Sequence, residues 1–183
     1  KLEEEYSVIG ELSKVSRGIN SERISFERYV LAAYFDEIIT AANVRLNKMT
    51  SGRYALYRIQ EKTKGSHQQG LDLEVYDNYT GKARHVKTLS GGESFKASLS
   101  MALGLADVVQ ANAGGISLET MFVDEGFGTL DPESLDNAIS TLIELQKNGR
   151  LVGIISHVPE LKERIEAKLI ITTGIEGSHA SFS

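Results

Sequence analysis

The last third of the chain alternates short apolar runs with helical segments, and this alternation limits the possible fold more than any other feature. The apolar runs occupy 118–123, 151–156 and 168–173, the helical segments occupy 132–148 and a short stretch from Pro159, and a turn at 174–177 leads to an edge segment at 178–182. Strands that are apolar throughout and joined by helices are typical of a parallel sheet. The sequence therefore predicts an α/β fold whose parallel sheet is flanked by helices and covered on both faces.

The first fifty residues are predicted to be helical, with one interruption at 16–21. Residues 1–20 show apolar side chains at three- and four-residue spacing, which indicates an amphipathic helix. They have little to pack against within this chain, so they are interpreted as a coiled-coil root or a partner-docking helix. The second helix carries an apolar stripe that is expected to pack on the core: Ile24, Leu31, Tyr34, Phe35, Ile38, Ala42 and Leu46. Ser51 and Gly52 are expected to end it.

Two segments between the helices, 54–59 and 71–76, are predicted to form strands. The second alternates apolar and polar residues, the pattern of a half-buried antiparallel strand. Basic side chains follow on the linking loops: Lys62, Lys64, His67, Lys82, Arg84, His85 and Lys87. Such residues can contact a phosphate backbone or can form a solvated rim, and the sequence leaves both interpretations open.

A third helix is predicted to begin after Ser90 and to extend to about Asn112. Ser90 and Glu93 have the spacing of a capping box, in which each side chain accepts a hydrogen bond from the other residue's N–H group. A cap alone does not explain Gly91 and Gly92, which lower helix propensity in the first turn. Paired glycines would let an anion approach bare N–H donors at the positive end of the helix. Its buried face is expected to contain Phe95, Leu99, Ala102, Leu103, Ala106 and Val109.

Polar side chains that can do chemistry follow two of the predicted parallel strands. Asp124 and Glu125 end the first strand, Asp131 closes the glycine-rich loop after it, and Ser156-His157 ends the next strand. Ligands bind at the carboxyl ends of strands in open α/β sheets. A solvated strand end with a nearby helix cap is the alternative. Because His157 lies one β–α unit after the acids, the two loops are expected to be neighbours.

Composition narrows the class of protein. The chain has 183 residues and 41% hydrophobic content, enough for one sizeable core. It has no cysteine, so it can form neither a disulfide nor a thiolate metal site. Its 20 basic and 25 acidic residues give a formal charge of −5, which is not the overall charge of a typical nucleic-acid-binding protein. It has neither a signal-peptide pattern nor an apolar run near the ~20 residues that span a bilayer. A cytoplasmic protein is expected, and the start at Lys1 suggests part of a longer one.

Four motifs, taken in order, resemble those of ABC-type ATPases. They are Leu-Ser-Gly-Gly-Glu at 89–93, the strand ending in Asp124-Glu125, then Leu130-Asp131, and the strand before His157. In that family they are the signature, Walker B, D-loop and switch histidine. Glu93 stands where transporter ATPases usually have Gln, and Gly126-Phe127-Gly128 follows the acids where they have Pro-Thr. These residues at 93 and 126–128 are similar to those of the SbcC-type DNA-repair ATPases. Residues 29–54 also resemble the segment where the returning coiled coil of those proteins enters the head.

The resemblance implies an incomplete ATPase head. No G-x-x-x-x-G-K-[ST] phosphate loop occurs in the sequence. In this family that loop, Walker A, lies in an N-terminal lobe beyond the coiled coil. The chain is thus expected to be the C-terminal lobe of an ABC-type ATPase head at 21–183, with a coiled-coil root or docking helix at 1–20. By itself it should not hold ATP tightly and should be inactive.

The resemblance also implies a role for each motif residue. Two heads sandwich two ATP molecules in this family. Asp124 would hold Mg²⁺ through water, and Glu125 would orient or deprotonate the attacking water. The signature would bind the γ-phosphate held by the opposite head; its residues are Leu89, Ser90, Gly91, Gly92 and Glu93. His157 would contact the same phosphate from its own head, and Asp131 would cross the interface between the two.

The expected partners are therefore the Walker A lobe, a second head in a homodimer, an SbcD-type nuclease subunit and double-stranded DNA, with no membrane. The resemblance also implies ATP and Mg²⁺ as cofactors, and double-strand-break and hairpin processing near the nucleoid as the process. Two alternatives remain. One is an ABC ATPase of another branch, such as a transporter motor or a chromosome-structure or recombination ATPase. The other is a DNA-binding scaffold that works without ATP.

Overall fold

The computed structural model describes residues 2–21, 23–59, 71–112, 114, 118–147, 149–175 and 177–183. The basic residues Lys62, Lys64 and His67 lie outside these ranges. No helix within the described ranges is long and apolar enough to span a membrane.

The N-terminal region consists of two helices, as predicted. Helix α1 covers Leu2–Ser16 and α2 covers Phe26–Met49. The side chain of Ser25 caps α2 by accepting a hydrogen bond from the N–H of Arg28. The expected stop is confirmed, because Ser51 and Gly52 both have positive φ and the N–H of Gly52 donates to the carbonyl of Asn47 at 2.8 Å.

The predicted apolar stripe of α2 is buried only in its C-terminal half. Ala42 and Leu46 are buried as expected, but Leu31 and Tyr34 are exposed. The prediction of core packing is wrong for these two residues, because the elements that cover α2 reach only its later turns. The described apolar side chains of α1 are also exposed, among them Ile9 and Leu12.

A three-stranded antiparallel sheet follows α2. Its strands β1 (Tyr54–Arg58), β2 (Leu73–Asp77) and β3 (Lys82–His85) pair in the order β1-β2-β3. The half-buried antiparallel pair is confirmed, with Val75 buried in the sheet. The third strand is not predicted by the sequence pattern, because its four residues lack apolar alternation and pair only through the turn that precedes them.

Helix α3 covers Gly91–Asn112 and crosses α2 at close range. A Cβ atom at Gly104 would lie 2.7 Å from the carbonyl oxygen of Ile38, so the backbones touch there. Leu99, Leu103 and Ala106 are buried as predicted, whereas Ala102 and Val109 are exposed. The predicted face is wrong at these two positions, because the crossing at Gly104 rotates the covered stripe toward Ala97 and Ser100.

The parallel pair consists of β4 (Thr120–Asp124) and β5 (Leu151–Ile155), joined by α4 (Pro132–Lys147). The main core cluster places Val123 against Leu135, Leu142 and other residues of α4. The prediction of a sheet covered on both faces is wrong for the described residues. Phe122, Leu151 and Ile155 point away from the core and are 54–68% exposed.

The chain ends in a short helix and a hairpin. Helix α5 covers Pro159–Arg164, and β6 (Leu169–Gly174) pairs antiparallel with β7 (Gly177–Phe182). The strand predicted at 168–173 is confirmed, but in the described residues it pairs with β7 and does not join β4 and β5. Its side chains, and those described in β7, are exposed.

Candidate functional site

The first part of the candidate site, the strand end, comprises Asp124, Glu125 and His157. Asp124 is the last residue of β4 and lies opposite Ile155 of β5. The N–H of Glu125 donates to the carbonyl of Ile155 at 2.9 Å, which extends the ladder by one residue. The His157 Nδ1 atom lies 2.9 Å from one carboxylate oxygen of Glu125 and 3.1 Å from the other. The expectation that the two loops are neighbours is confirmed.

The backbone of the strand end is held in an unusual conformation. Glu125 has φ 57° and Gly126 has φ 94°. A left-handed conformation costs a residue other than glycine about 1–3 kcal/mol and persists only where the surroundings enforce it. At Gly126 the ring of Phe95 occupies the space that a side chain would need, and that ring packs edge-on against Phe127 with centroids 4.9 Å apart. Helix α3 thus sets the turn that presents Glu125.

The carboxylate of Asp124 is exposed and has no hydrogen-bond or ion-pair partner among the described residues. A free carboxylate of this kind is a suitable ligand for Mg²⁺. The described part of the chain contains no group of three or more His, Cys, Asp or Glu side chains that could hold a metal ion. Asp124 could therefore serve as a single protein ligand of Mg²⁺, an ion that usually keeps several waters.

The second part, the signature end, comprises Leu89–Glu93 at the start of α3. The predicted capping box is confirmed: the N–H of Ser90 donates to the Glu93 carboxylate at 2.9 Å, and the N–H of Glu93 donates to the Ser90 hydroxyl at 3.4 Å. Tyr54 donates its hydroxyl hydrogen to the same carboxylate at 2.5 Å, and Arg84 approaches it at 3.4 Å. Leu89 packs its side chain against the core formed by α2 and the antiparallel sheet.

These contacts control the ionisation of two groups. Burial opposes the charge of Glu93, but the hydrogen bonds from Tyr54, Ser90 and Arg84 outweigh it and lower its pKa to about 2. Burial and the bond to Glu93 raise the pKa of Tyr54 to about 12. Glu93 is therefore an ionised, inward-held cap. These contacts also explain why a carboxylate-bearing residue stands at position 93, since Tyr54 and Arg84 both donate hydrogen bonds to it.

The two glycines of the signature end have different surroundings. A Cβ atom at Gly92 would lie 2.8 Å from the carbonyl oxygen of Thr129, whereas one at Gly91 would make ordinary contacts of 3.7 Å with the Thr129 side chain. Close packing against the loop after β4 thus requires glycine at 92 without any ligand. Gly91 is exposed, and only there does the approach of an anion remain the main explanation for glycine.

Asp131 caps helix α4. Its carboxylate accepts hydrogen bonds from the N–H of Ser134 at 2.9 Å and from the Ser134 hydroxyl at 2.7 Å, and these bonds lower its pKa. The helix-cap alternative is therefore correct for this side chain. Asp131 still lines an open cavity of about 580 Å³ together with Ser90, Gly91 and Gly92.

The structure thus divides the predicted residues into two groups. The cavity brings Asp131 and the signature end together, whereas Asp124, Glu125 and His157 do not line it. Sequence reasoning missed other residues of the cavity wall, namely Arg53, Tyr54, Lys96 and Ser134. Only Ser134 carried a sequence signal, since it stands three residues after Asp131. The contacts of the others join residues far apart in sequence.

The predicted basic cluster is partly used within the fold. The guanidinium of Arg84 donates to the carbonyl of Thr88 at 2.7 Å and faces Glu93. The His85 Nδ1 atom accepts a hydrogen bond from the N–H of Lys87 at 3.1 Å. Lys82 and Lys87 are exposed. A contact between these residues and nucleic acid stays a prediction.

Comparison with protein families finds a match at residues 66–144, to the model described as SbcC/RAD50-like, Walker B motif. The chain is 56% identical over 177 residues to the SbcC component of the nuclease SbcCD of Vibrio cholerae and 51% identical over 178 residues to that of Staphylococcus haemolyticus. Each match covers 97% of this chain, and the chain spans 18% and 17% of these relatives. The predicted resemblance to SbcC-type ATPases is confirmed.

Solved structures confirm the fold. A structure from work on ATP-driven dimerisation and DNA-stimulated activation of SMC ATPases matches with a TM-score of 0.63 at 14% identity, over 85% of this chain and 89% of that one. The Smc head domain of Pyrococcus furiosus, bound to the C-terminal domain of ScpA, matches with a TM-score of 0.62 at 15% identity, over 97% of this chain and 40% of that one. The α/β fold of this chain is therefore shared with these SMC structures.

Proposed function

From its similarity to SbcC proteins over 97% of its length, we propose that this chain is the C-terminal lobe of an SbcC-type ATPase head, with residues 21–183 as the lobe and 1–20 as a coiled-coil root or docking helix. The observation that carries the proposal is the contact of His157 with Glu125 beside the free carboxylate of Asp124. A general base, a group that holds it in place and a metal ligand then share one edge of the sheet.

At the strand end, Glu125 orients or deprotonates the water that attacks the γ-phosphate. In this proposal the His157 ring carries both N–H groups: Nδ1 donates to the Glu125 carboxylate, which fixes the ring, and Nε2 donates to a phosphate oxygen. Asp124 holds Mg²⁺ through water, and the ion neutralises charge on the phosphates. Phosphoryl transfer depends mainly on positioning and charge stabilisation, which suits this set of groups.

At the signature end, the groups face outward from the lobe. The N–H groups of the first turn of α3 point toward the positive end of the helix. The Ser90 hydroxyl accepts from the N–H of Glu93 and so keeps its own hydrogen for a phosphate oxygen. Since the cavity here is not lined by Glu125 or His157, we assign Ser90, Gly91, Gly92 and Asp131 to a nucleotide bound on a second head. Hydrolysis then requires a head dimer.

The remaining partners follow from the same proposal. The phosphate loop comes from the Walker A lobe of the same protein, and the exposed apolar face at Phe122, Leu151 and Ile155 suits such a lobe. The chain alone is then inactive. ATP-driven closure of the heads regulates binding of double-stranded DNA and an SbcD-type nuclease subunit in the cytoplasm, near the nucleoid, and the exposed apolar residues of α1 are the candidate docking surface for that nuclease.

The test is Glu125→Gln in the full-length protein, with Glu160→Gln, an exposed residue of α5, as the matched control. The amide keeps the shape of Glu125 but cannot accept a proton. We expect phosphate release to fall about 10²–10⁴-fold, while size-exclusion chromatography shows a persistent ATP-dependent dimer. The control should match the wild type. Wild-type turnover in Glu125→Gln would exclude the assignment of the base.

A further inference from the structure

A chain of three polar side chains joins α3 to the loop before α4. The Lys96 ammonium donates to the Ser134 hydroxyl at 2.9 Å, and that hydroxyl donates to the Asp131 carboxylate at 2.7 Å. Ser134 is buried and Lys96 is half-buried, and the chain runs along the wall of the cavity. The positive charge of Lys96 also contributes to the lowered pKa of Asp131. Hydrogen bonds that involve charged groups are stronger than neutral ones.

The helix cap does not need Lys96. Asp131 caps α4 through the N–H and the hydroxyl of Ser134, which lies in the first turn of that same helix. Lys96 belongs to another helix, and half-burying its ammonium is unfavourable unless the charge is satisfied. Lys96 is unnecessary for the cap, but it links α3 to the loop before α4, and both border the same cavity. Its hydrogen bond therefore acts on the relative position of these two elements.

The same interface is already close at the level of the backbone. Gly92 lies against the carbonyl of Thr129, and Phe95 packs on Phe127. These contacts fix the distance between α3 and the loop, but they do not restrain the Asp131 carboxylate. The bond from Lys96 to Ser134 does restrain it, since Ser134 holds both of its oxygens.

We infer that Lys96 is a positioning residue that locks the Asp131 loop to the signature helix. Ser90, Gly91, Gly92 and Asp131 then approach the nucleotide of the second head as one rigid surface. This inference rests on the proposed function, in which these residues act across a head dimer. Lys96 lines this cavity, whereas Asp124, Glu125 and His157 do not, so on the proposed function it touches neither the nucleotide held by its own head nor the attacking water.

The test compares Lys96→Met and Lys96→Arg in the full-length protein carrying Glu125→Gln, which traps the dimer. Lys48→Met is the matched control, because it removes an ion pair with Glu144 away from the cavity. We expect Lys96→Met to raise the protein concentration needed for ATP-dependent dimerisation about tenfold, as the loss of one charge-assisted hydrogen bond implies. Lys96→Arg should restore most of the dimer, and the control should behave as its parent.

A second measurement separates positioning from general stability. Binding of a fluorescent ATP analogue to the monomeric head should be unchanged in Lys96→Met, since Lys96 does not face that nucleotide. Equal weakening of monomer binding and dimerisation, with a lowered unfolding midpoint, would show a merely structural role and overturn the inference. Dimerisation at the parent's concentration would overturn it as well. If the Glu125→Gln parent forms no ATP-dependent dimer, the proposed function itself fails, and this inference fails with it.

Discussion

The signature end and the strand end are built in opposite ways. At the signature end, the Glu93 carboxylate receives hydrogen bonds from Tyr54, Ser90 and Arg84. At the strand end, the described contacts of the functional side chains reduce to His157 with Glu125, while Asp124 has none among the described residues. One end is completed by the chain's own side chains, and the other presents charged groups to solvent.

This difference indicates which binding partners each end still lacks. A surface whose shape is held by its own hydrogen bonds, with the Ser90 hydroxyl hydrogen left for a ligand, can dock as a preformed body onto a ligand held elsewhere. On the proposed function, the exposed carboxylate of Asp124 and the half-exposed carboxylate of Glu125 gain further partners only when a metal ion and phosphates are bound. Substitutions at the signature end should therefore change the stability of the fold, and those at the strand end should change turnover. Three variants of the full-length protein test this contrast, ordered by their expected effect on stability.

The largest effect is expected for Gly92→Ala. The new methyl group would lie 2.8 Å from the backbone oxygen of Thr129, which cannot rotate away as a side chain could. We expect the free energy of local opening of α3 to fall by about 1–3 kcal/mol, the usual cost of overpacking. Hydrogen exchange at the amides of its first turns measures this value. Gly91→Ala, whose methyl group has room, is the matched control and should not lower it, since alanine has the higher helix propensity.

Equal effects of the two glycine variants would break the contrast. They would mean that the loop after β4 moves aside at little cost, and that the signature end is not preformed.

An intermediate effect is expected for Tyr54→Phe. It removes one hydrogen bond to an ionised group and should cost about 1–2 kcal/mol at pH 7. The folded pKa of Glu93 is about 2, below its ordinary 4.5, so the stability it contributes is complete above pH 4.5 and is lost as the pH falls toward 2. The variant raises that folded pKa, so the difference in thermal midpoint from the wild type should shrink as the pH falls below 4.5.

Tyr57→Phe is the control for this variant, since Tyr57 is half exposed on β1 and its hydroxyl has no hydrogen-bond partner among the described residues. It should show no pH-dependent difference. A Tyr54→Phe difference that stays constant between pH 7 and pH 3 would show that lost packing, and not the charge of Glu93, explains the effect.

Local sequence patterns predict most of this architecture and part of the candidate site. The capping box of Ser90 and Glu93, the end of α2 at Ser51 and Gly52, and the nearness of His157 to Glu125 are all predictable. They depend on short spacing or on the rule that parallel strands end at one edge. The antiparallel pair is predictable as well, because alternation of apolar and polar residues reports burial directly.

The rest depends on contacts between distant parts of the chain. Tyr54 reaches Glu93, and Lys96 reaches Ser134, across 39 and 38 positions of sequence. No periodicity encodes such pairs. The sequence pattern attributes Gly92 to the approach of an anion, but the nearby Thr129 carbonyl already requires glycine there. The exposure of the outer face at Phe122 is not predictable for a related reason. An apolar strand predicts burial, but it does not indicate which element covers the strand.

The smallest effect on stability is expected for His157→Ala. The ring is 83% exposed and its contact with the half-exposed Glu125 carboxylate contributes little, so the fold should lose no more than about 0.5 kcal/mol. Phosphate release should nevertheless fall about 100-fold, because Glu125 loses the donor that orients it. Thermal unfolding and single-turnover phosphate release measure the two quantities on one preparation. A destabilised variant that keeps normal turnover would reverse the contrast, since the strand end would then serve the fold and the chemistry would need another base.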